Sequence, residues 1–360
     1  MEDVLGGYTN DARFAAFLAN WATILARRVA EATAALSQVE GLHGLILAGG
    51  VGRGAAWPLS DIDLIPVYAD GWMAEATAGV EPIRLALLEQ WVAEGWWSGL
   101  DVGRLHFAKG EVRQALSAGA PALPALLADD RWYHSLDKAF GSRALIDPDG
   151  VASELADWCT AHRFTPEVVA YRLEREEREL LTAQHAFEMA VHRGDMLAAT
   201  GHLRNAVRWL FTLCLERWGE RDNSLGRIGT RFATAALAHG AGDLVDAVHT
   251  LSDLTAPQVW QRLGVAPRWV RERHDRSLRA RLHVGELIAP PDDARDTLRV
   301  CSHYGLRREY TPPYPEWLAV LNDEVARARV GEVKRLIAVT VLEPHEPQRR
   351  GGRSFPARSD

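Results

Sequence analysis

Apolar residues recur every three to four positions over residues 10–38, where Phe14, Phe17, Leu18, Trp21, Ile24 and Leu25 fall on one stripe. This spacing predicts an amphipathic helix. The pattern then changes. Residues 43–48 form a short, nearly continuous apolar run, the mark of a buried strand, and a second such run begins at Ile62. A helical pattern returns over about 72–94, and residues 99–107 again read as a strand. Residues 111–129 read as helical, interrupted at Pro121 and Pro124, and 141–150 as a short strand ending in the turn Asp147-Pro148-Asp149-Gly150.

Beyond this point the strand pattern ends. Thr165-Pro166-Glu167 is a helix start, with proline tolerated at the first helical position. A long helix is predicted to about residue 192, broken by Gly194-Asp195, and a second over about 196–217. Further helices are expected near 225–239, 242–254 and 267–288, with Pro290-Pro291 as an interruption and a last helix over about 314–343. The expected fold class is α+β, a small mixed-sheet domain over 1–155 followed by an all-α bundle over 156–343. The tail 344–360, rich in Pro, Gly and Arg, is expected to be disordered.

The chemistry concentrates between the first two strands. The segment reads Leu45-Ile-Leu-Ala-Gly49-Gly50-Val-Gly52-Arg53-Gly54-Ala-Ala-Trp-Pro-Leu-Ser60-Asp61-Ile62-Asp63-Leu64-Ile65. Alternate strand residues face one side, so Asp61 and Asp63 present their carboxylates together. Two carboxylates in an apolar sheet repel unless something positive lies between them, and magnesium, a hard cation that takes oxygen ligands, suits that place. The glycines let backbone N–H groups approach phosphate oxygens at a helix N-terminus. Two other nucleotide motifs fail. A Walker A loop needs Gly-Lys-Ser/Thr where Gly54-Ala55-Ala56 stands. A dinucleotide fingerprint on Gly50, Gly52 and Ala55 would place Trp57-Pro58 inside its helix and leaves no room for a crossover before the second strand.

Gly49-Gly50, Arg53 and Ser60-Asp61-Ile62-Asp63 resemble the signature of the DNA polymerase β-type nucleotidyltransferase superfamily, in particular its small bacterial branches. These include the aminoglycoside nucleotidyltransferases and the nitrogen-regulation uridylyltransferase. The match covers residues 44–68, with a weaker extension to about 107. The resemblance implies Asp61 and Asp63 as magnesium ligands and a third carboxylate from a later strand, for which Asp101 is the candidate; a strand cap is its plainer reading. It further implies Gly49, Gly50, Arg53 and Ser60 as nucleotide-binding residues, two magnesium ions, and a nucleoside triphosphate, ATP by expectation, as substrate. Glycine at position 50 replaces the serine usual in the aminoglycoside enzymes, so one hydroxyl contact to phosphate is missing. The implied activity is transfer of a nucleoside monophosphate to a hydroxyl-bearing small molecule. Protein nucleotidylation and a non-catalytic nucleotide-binding module are the alternatives.

The chain has 360 residues, 47% of them hydrophobic, and a formal net charge of −7, which argues against a generic nucleic-acid binder. Cys159, Cys214 and Cys301 are odd in number and far apart, which argues against a disulfide framework or zinc site. No apolar run has membrane-spanning length, and Met1-Glu2-Asp3 lacks the basic start of a secretory signal, so a cytoplasmic location is expected. Oligomeric state stays open. The charged run 171–178 reads as a solvated helix face laced by i,i+4 pairs, with Glu176 as the reserve candidate for a base. His274-Asp275 resembles the metal-dependent phosphohydrolase dipeptide without the further ligands such a site needs; Arg276 and His283 fit a loose ribonuclease spacing that arises easily by chance. Trp96, Trp97 and Trp209 read as core or interface residues.

Overall fold

The computed structural model describes residues 11–95, 99–220, 226–306 and 310–342. Trp96 and Trp97, read as core or interface residues, and the tail 344–360, expected to be disordered, lie outside the described residues. The chain opens with α1 (Asp11–Leu36), β1 (Leu42–Ala48), a single helical turn α2 (Gly49–Gly52), β2 (Ile62–Tyr68), α3 (Met73–Ala93), β3 (Leu100–Val102) and β4 (Phe107–Ala108). Then come α4 (Lys109–Ala118), α5 (Leu123–Ala128), α6 (Asp130–Lys138), β5 (Arg143–Ile146) and α7 (Val151–His162). The five strands form one mixed sheet ordered β3-β2-β1-β5, with β4 also paired to β2. β1 runs antiparallel to β2 and β5, whereas β2 runs parallel to β3 and β4.

Strand alternation divides the core. Leu45, Leu47, Ile62, Leu64 and Tyr68 pack with Phe14, Phe17, Leu25, Val80 and Trp91 of α1 and α3. Ile46, Ala48, Ile65 and Val67 face the other way and pack with Val112, Leu127, Trp132, Leu136, Leu155 and Cys159. The sheet is thus sandwiched between two helical layers, and both of its faces must be apolar to be covered. Asp63 breaks this rule. It shares a face with Ile65 and Val67, yet is a carboxylate only 5% exposed.

The rest of the described chain is helical: α8 (Pro166–His192), α9 (Met196–Arg217), α10 (Ile228–Ala238), α11 (Gly242–Leu251), α12 (Ala256–Val265), α13 (Arg268–His283), α14 (Pro290–Gly305) and α15 (Asp323–Leu342). A small mixed sheet with a large helical part agrees with an α+β class. Three expectations are corrected. Pro290-Pro291 begins a helix rather than interrupting one, because proline at the first helical positions gives up only N–H groups that have no helical partner. Residues 130–138 and 256–265 form helices that the sequence pattern had not suggested. In the run 171–178, Arg172 and Glu176 are buried rather than solvated, while Arg178 pairs with Glu174 on the surface as expected. No helix among the described residues is long and apolar enough to cross a membrane.

Candidate functional site around Asp63

The register of the sheet brings two of the expected carboxylates together. Asp63 of β2 is paired across the parallel ladder with Asp101 of β3, and across the antiparallel ladder with Ala48 of β1. Neighbours in register share a sheet face. Leu100 and Val102 face the α1/α3 layer, so Asp101 turns to the face that carries Asp63. Asp61 stands one residue before β2 and is exposed. Its charge, with that of Asp101, adds to the effect of burial on Asp63, whose carboxyl is pushed up to about 6. Burial is the largest cause, and the ammonium of Lys138 opposes it.

Lys138, at the last position of α6, is the residue that the sequence reading missed. Its Nζ donates to Asp63 Oδ1 and lies 3.9 Å from Asp101 Oδ2. A cation therefore stands between the carboxylates, as the repulsion argument requires, and here a side chain provides it. Among the described residues, no three His, Cys, Asp or Glu side chains are gathered into a group that could hold a metal. The signal for α6 was present in the sequence. Asp129 caps the helix by accepting from the Arg131 N–H at 2.8 Å, and Trp132 and Leu136 lie four apart on its buried face.

The glycine turn packs tightly against the site. Gly49 follows Ala48, the register partner of Asp63, with φ of 63°, and a Cβ there would fall 1.8 Å from Asp63 Oδ2. A Cβ on Gly52 would fall 2.0 Å from the carbonyl oxygen of Leu47. Gly50 has no left-handed backbone, and its Cβ would meet nothing closer than 3.5 Å. The steric demand thus belongs to Gly49 and Gly52 rather than Gly50. Gly49→Ala should lower stability by about 1–3 kcal/mol through the left-handed backbone, with the clash against Asp63 added. Gly50→Ala should be neutral or mildly stabilising. Urea denaturation of both variants checks the contrast; equal effects would contradict it.

Arg53 follows the turn and reaches back, its Nη1 donating to the Asp137 carbonyl at 3.5 Å. Burial lowers its pKa to about 10, with Asp63 opposing and Arg231 of α10 reinforcing the shift. Ser60 accepts from the Trp57 N–H at 3.0 Å through its hydroxyl oxygen and thereby closes the turn into β2. Trp57 lies beneath helical-domain arginines: the Arg227 and Arg281 guanidinium carbons are 4.8 Å and 5.9 Å from its ring centre. The connector between the glycine turn and the aspartate strand is therefore held from both sides.

Behind α6 lies a buried ionic network. Asp137 accepts from Arg163 Nε and Arg172 Nη2, each at 2.6 Å. Glu216 of α9 accepts from both nitrogens of the Arg163 fork, at 2.8 Å and 2.5 Å, and from Arg172 Nε at 3.1 Å. Glu176 accepts from the Tyr133 hydroxyl at 3.2 Å. Burial, opposed by Arg172, pushes the Glu176 carboxyl up to about 8. Two guanidiniums are thus balanced by Asp137 and Glu216, which leaves Glu176 to carry a proton at neutral pH. Glu176 belongs to this network, which ties α6 to α8 and α9.

His274 and Asp275 point apart. His274 Nε2 lies 3.7 Å from the buried Asp293, whereas Asp275 is exposed beside Arg279. Trp209 packs, half-buried, against the helical core. Comparison of the chain with family models, with curated proteins and with solved structures finds no match.

Proposed function

We propose that this protein transfers a nucleoside monophosphate from a nucleoside triphosphate to a hydroxyl group of a small molecule, with magnesium, releasing pyrophosphate. The observation that carries the reading is the register pairing of buried Asp63 with Asp101, with Asp61 at the start of the same strand. The donor set suits a hard divalent cation: all of its groups are carboxylate oxygens, and their mutual repulsion already recruits the ammonium of Lys138. Asp63 and Asp101, paired across the ladder, would hold the metal, exposed Asp61 would have to turn in to join them, and Lys138 would have to yield Asp63. Bound there, magnesium would neutralise charge on the reacting phosphate and on the leaving pyrophosphate.

The chain's own groups supply the rest. Asp101, on the neighbouring strand, would take the acceptor's proton. The acceptor oxygen bonds to the α-phosphorus as the bond to the β-phosphate oxygen breaks, and pyrophosphate carries away the electron pair. Arg53, half-buried and within reach of the charge of Asp63, would bind phosphate oxygens, where its charge is worth more than in water. Lys138, released from Asp63, adds a second cation at the same place. Positioning and charge stabilisation are the main contributions a protein makes to such a displacement.

The test is incubation with each of the four ribonucleoside triphosphates, magnesium and a panel of polyhydroxylated compounds. Pyrophosphate release and the masses of compound and protein are followed. Release coupled to a nucleotidyl adduct on a compound supports the reading. An adduct on the protein itself transfers the reading to a protein acceptor. Absence of magnesium-dependent triphosphate binding overturns it.

A further inference from the structure

Between α9, α12 and α14 lies a cavity with Val207, Phe211, Ile228 and Leu254 among its walls. Arg204, Arg262 and Arg299 reach it from three different helices. Arg262 is only 5% exposed. Its Nε donates to the Trp317 carbonyl at 3.1 Å and its Nη1 to the Asp253 carbonyl at 3.3 Å, but its Nη2 has no acceptor. Arg204 donates through Nη2 to the carbonyls of Leu318 and Ala319, and its Nη1 has none. Arg299 lies 3.6 Å from Asp296 through Nη1, while its Nε and Nη2 are unpartnered. The Ser252 hydroxyl, also buried in the lining, is unpartnered as well.

The nearby carboxylates are shared with groups outside the cavity. Asp296 accepts from Arg281 Nη2 at 3.0 Å and from the Gly229 N–H at 3.1 Å. Asp253 pairs with Arg329 at 3.3 Å. The surplus of positive charge is felt by the neighbours. His249 is pushed down to about 3 by burial and by Arg299 and Arg295, and Arg204 is lowered by burial and by Arg262. Guanidiniums do not give up their protons in proteins, so several buried, unmatched N–H groups around one cavity call for an anion.

We propose that this cavity binds a phosphate group, carried by a small molecule whose remaining part meets the apolar walls. Guanidinium N–H groups match phosphate oxygens geometrically, and free nitrogens from three helices, one each on Arg204 and Arg262 and two on Arg299, suit an ion with several equivalent oxygens better than a single carboxylate. The site shares no lining residue with the Asp63 centre, so the proposal stands apart from the nucleotidyl-transfer reading.

The experiment is calorimetry and thermal denaturation of the full chain with inorganic phosphate and with phenyl phosphate, in EDTA at constant ionic strength. Wild type is expected to bind saturably and to melt at higher temperature with ligand. Arg299→Met keeps the apolar stem and leaves Asp296 its bonds from Arg281 and the Gly229 N–H. It should leave ligand-free stability equal or higher and weaken binding at least tenfold. Ser252→Ala should weaken binding less. Arg53→Ala should bind as wild type does. Tighter binding of phenyl phosphate supports a phosphate monoester as ligand, and tighter binding of inorganic phosphate supports the free ion in the same site. Absence of saturable binding overturns the proposal. So does binding that persists in Arg299→Met, or that is lost in Arg53→Ala.

Discussion

Asp63→Asn is expected to stabilise the protein near neutral pH and to abolish nucleotidyl transfer. The stability effect follows from a carboxyl whose pKa is raised from 3.8 to about 6 in the folded chain. Between those values the folded state holds a proton that the unfolded state has lost, so stability from this group falls as pH rises through the interval. Below it the contribution is favourable, and above about 6 the buried, repelled carboxylate is a cost. An amide removes the cost. A shift of this size corresponds to about 2–3 kcal/mol. Part of the gain is lost because Lys138 gives up its partner and keeps only Asp101 and the nearby charge of Asp61. A gain of about 1–2 kcal/mol near neutral pH, shrinking toward zero near pH 4, is the expectation in urea titrations. Pyrophosphate release should fall at least about a hundredfold, the usual scale for lost electrostatic stabilisation at a reacting centre. A destabilised variant would mean that Asp63 serves the fold as Lys138's anchor; an active one would remove it from the chemistry.

The second large effect is expected at Asp137. Asp137→Asn removes one of the two full negative charges that balance Arg163 and Arg172. Both arginines are buried, with side chains 0% and 3% exposed, and breaking a buried pair costs about 3–5 kcal/mol because a charge is left uncompensated. Glu176 modifies the outcome. Its proton is held partly by repulsion from Asp137, so the variant should let Glu176 ionise at lower pH and take over part of the balance. The loss should therefore be greatest near pH 6 and smaller near pH 8.5, the reverse of a simple surface ion pair. Denaturant titrations at both pH values decide this; a pH-independent loss would show that Glu176 is not part of the same electrostatic unit.

The first two strands and the turn between them were legible because several local signals agree. An apolar run, four glycines and alternate aspartates at the second strand leave few other arrangements. Asp101 was legible because Gly99 and the pattern around Leu100 and Val102 marked a strand, and its pairing with Asp63 followed once that strand added beside β2. Lys138 was not legible. Its helix has only nine residues and is separated from α5 by Asp129 alone, so the two short helices read as one declining pattern. Arg172 and Glu176 were misread for a different reason. Charges four apart look alike whether solvent or a distant partner faces them: Arg172's partner Glu216 lies 44 residues away, and Tyr133, which donates to Glu176, lies 43 away. The converging arginines of the cavity were invisible for the same reason: Arg204, Arg262 and Arg299 each sit on their own helix.

Magnesium-dependent binding of a non-hydrolysable nucleoside triphosphate, followed by calorimetry in wild type, Arg299→Met and Asp63→Asn, tests nucleotidyl-transfer chemistry at Asp63 most directly. The Arg299→Met variant removes phosphate binding in the helical cavity from the measurement. At least one of the four nucleotides should bind wild type and Arg299→Met alike, weaken more than about tenfold in EDTA, and be lost in Asp63→Asn, since Asp63 would hold the magnesium that would neutralise the phosphate charge. Binding that is indifferent to magnesium and survives in Asp63→Asn, or no binding of any of the four, would contradict it.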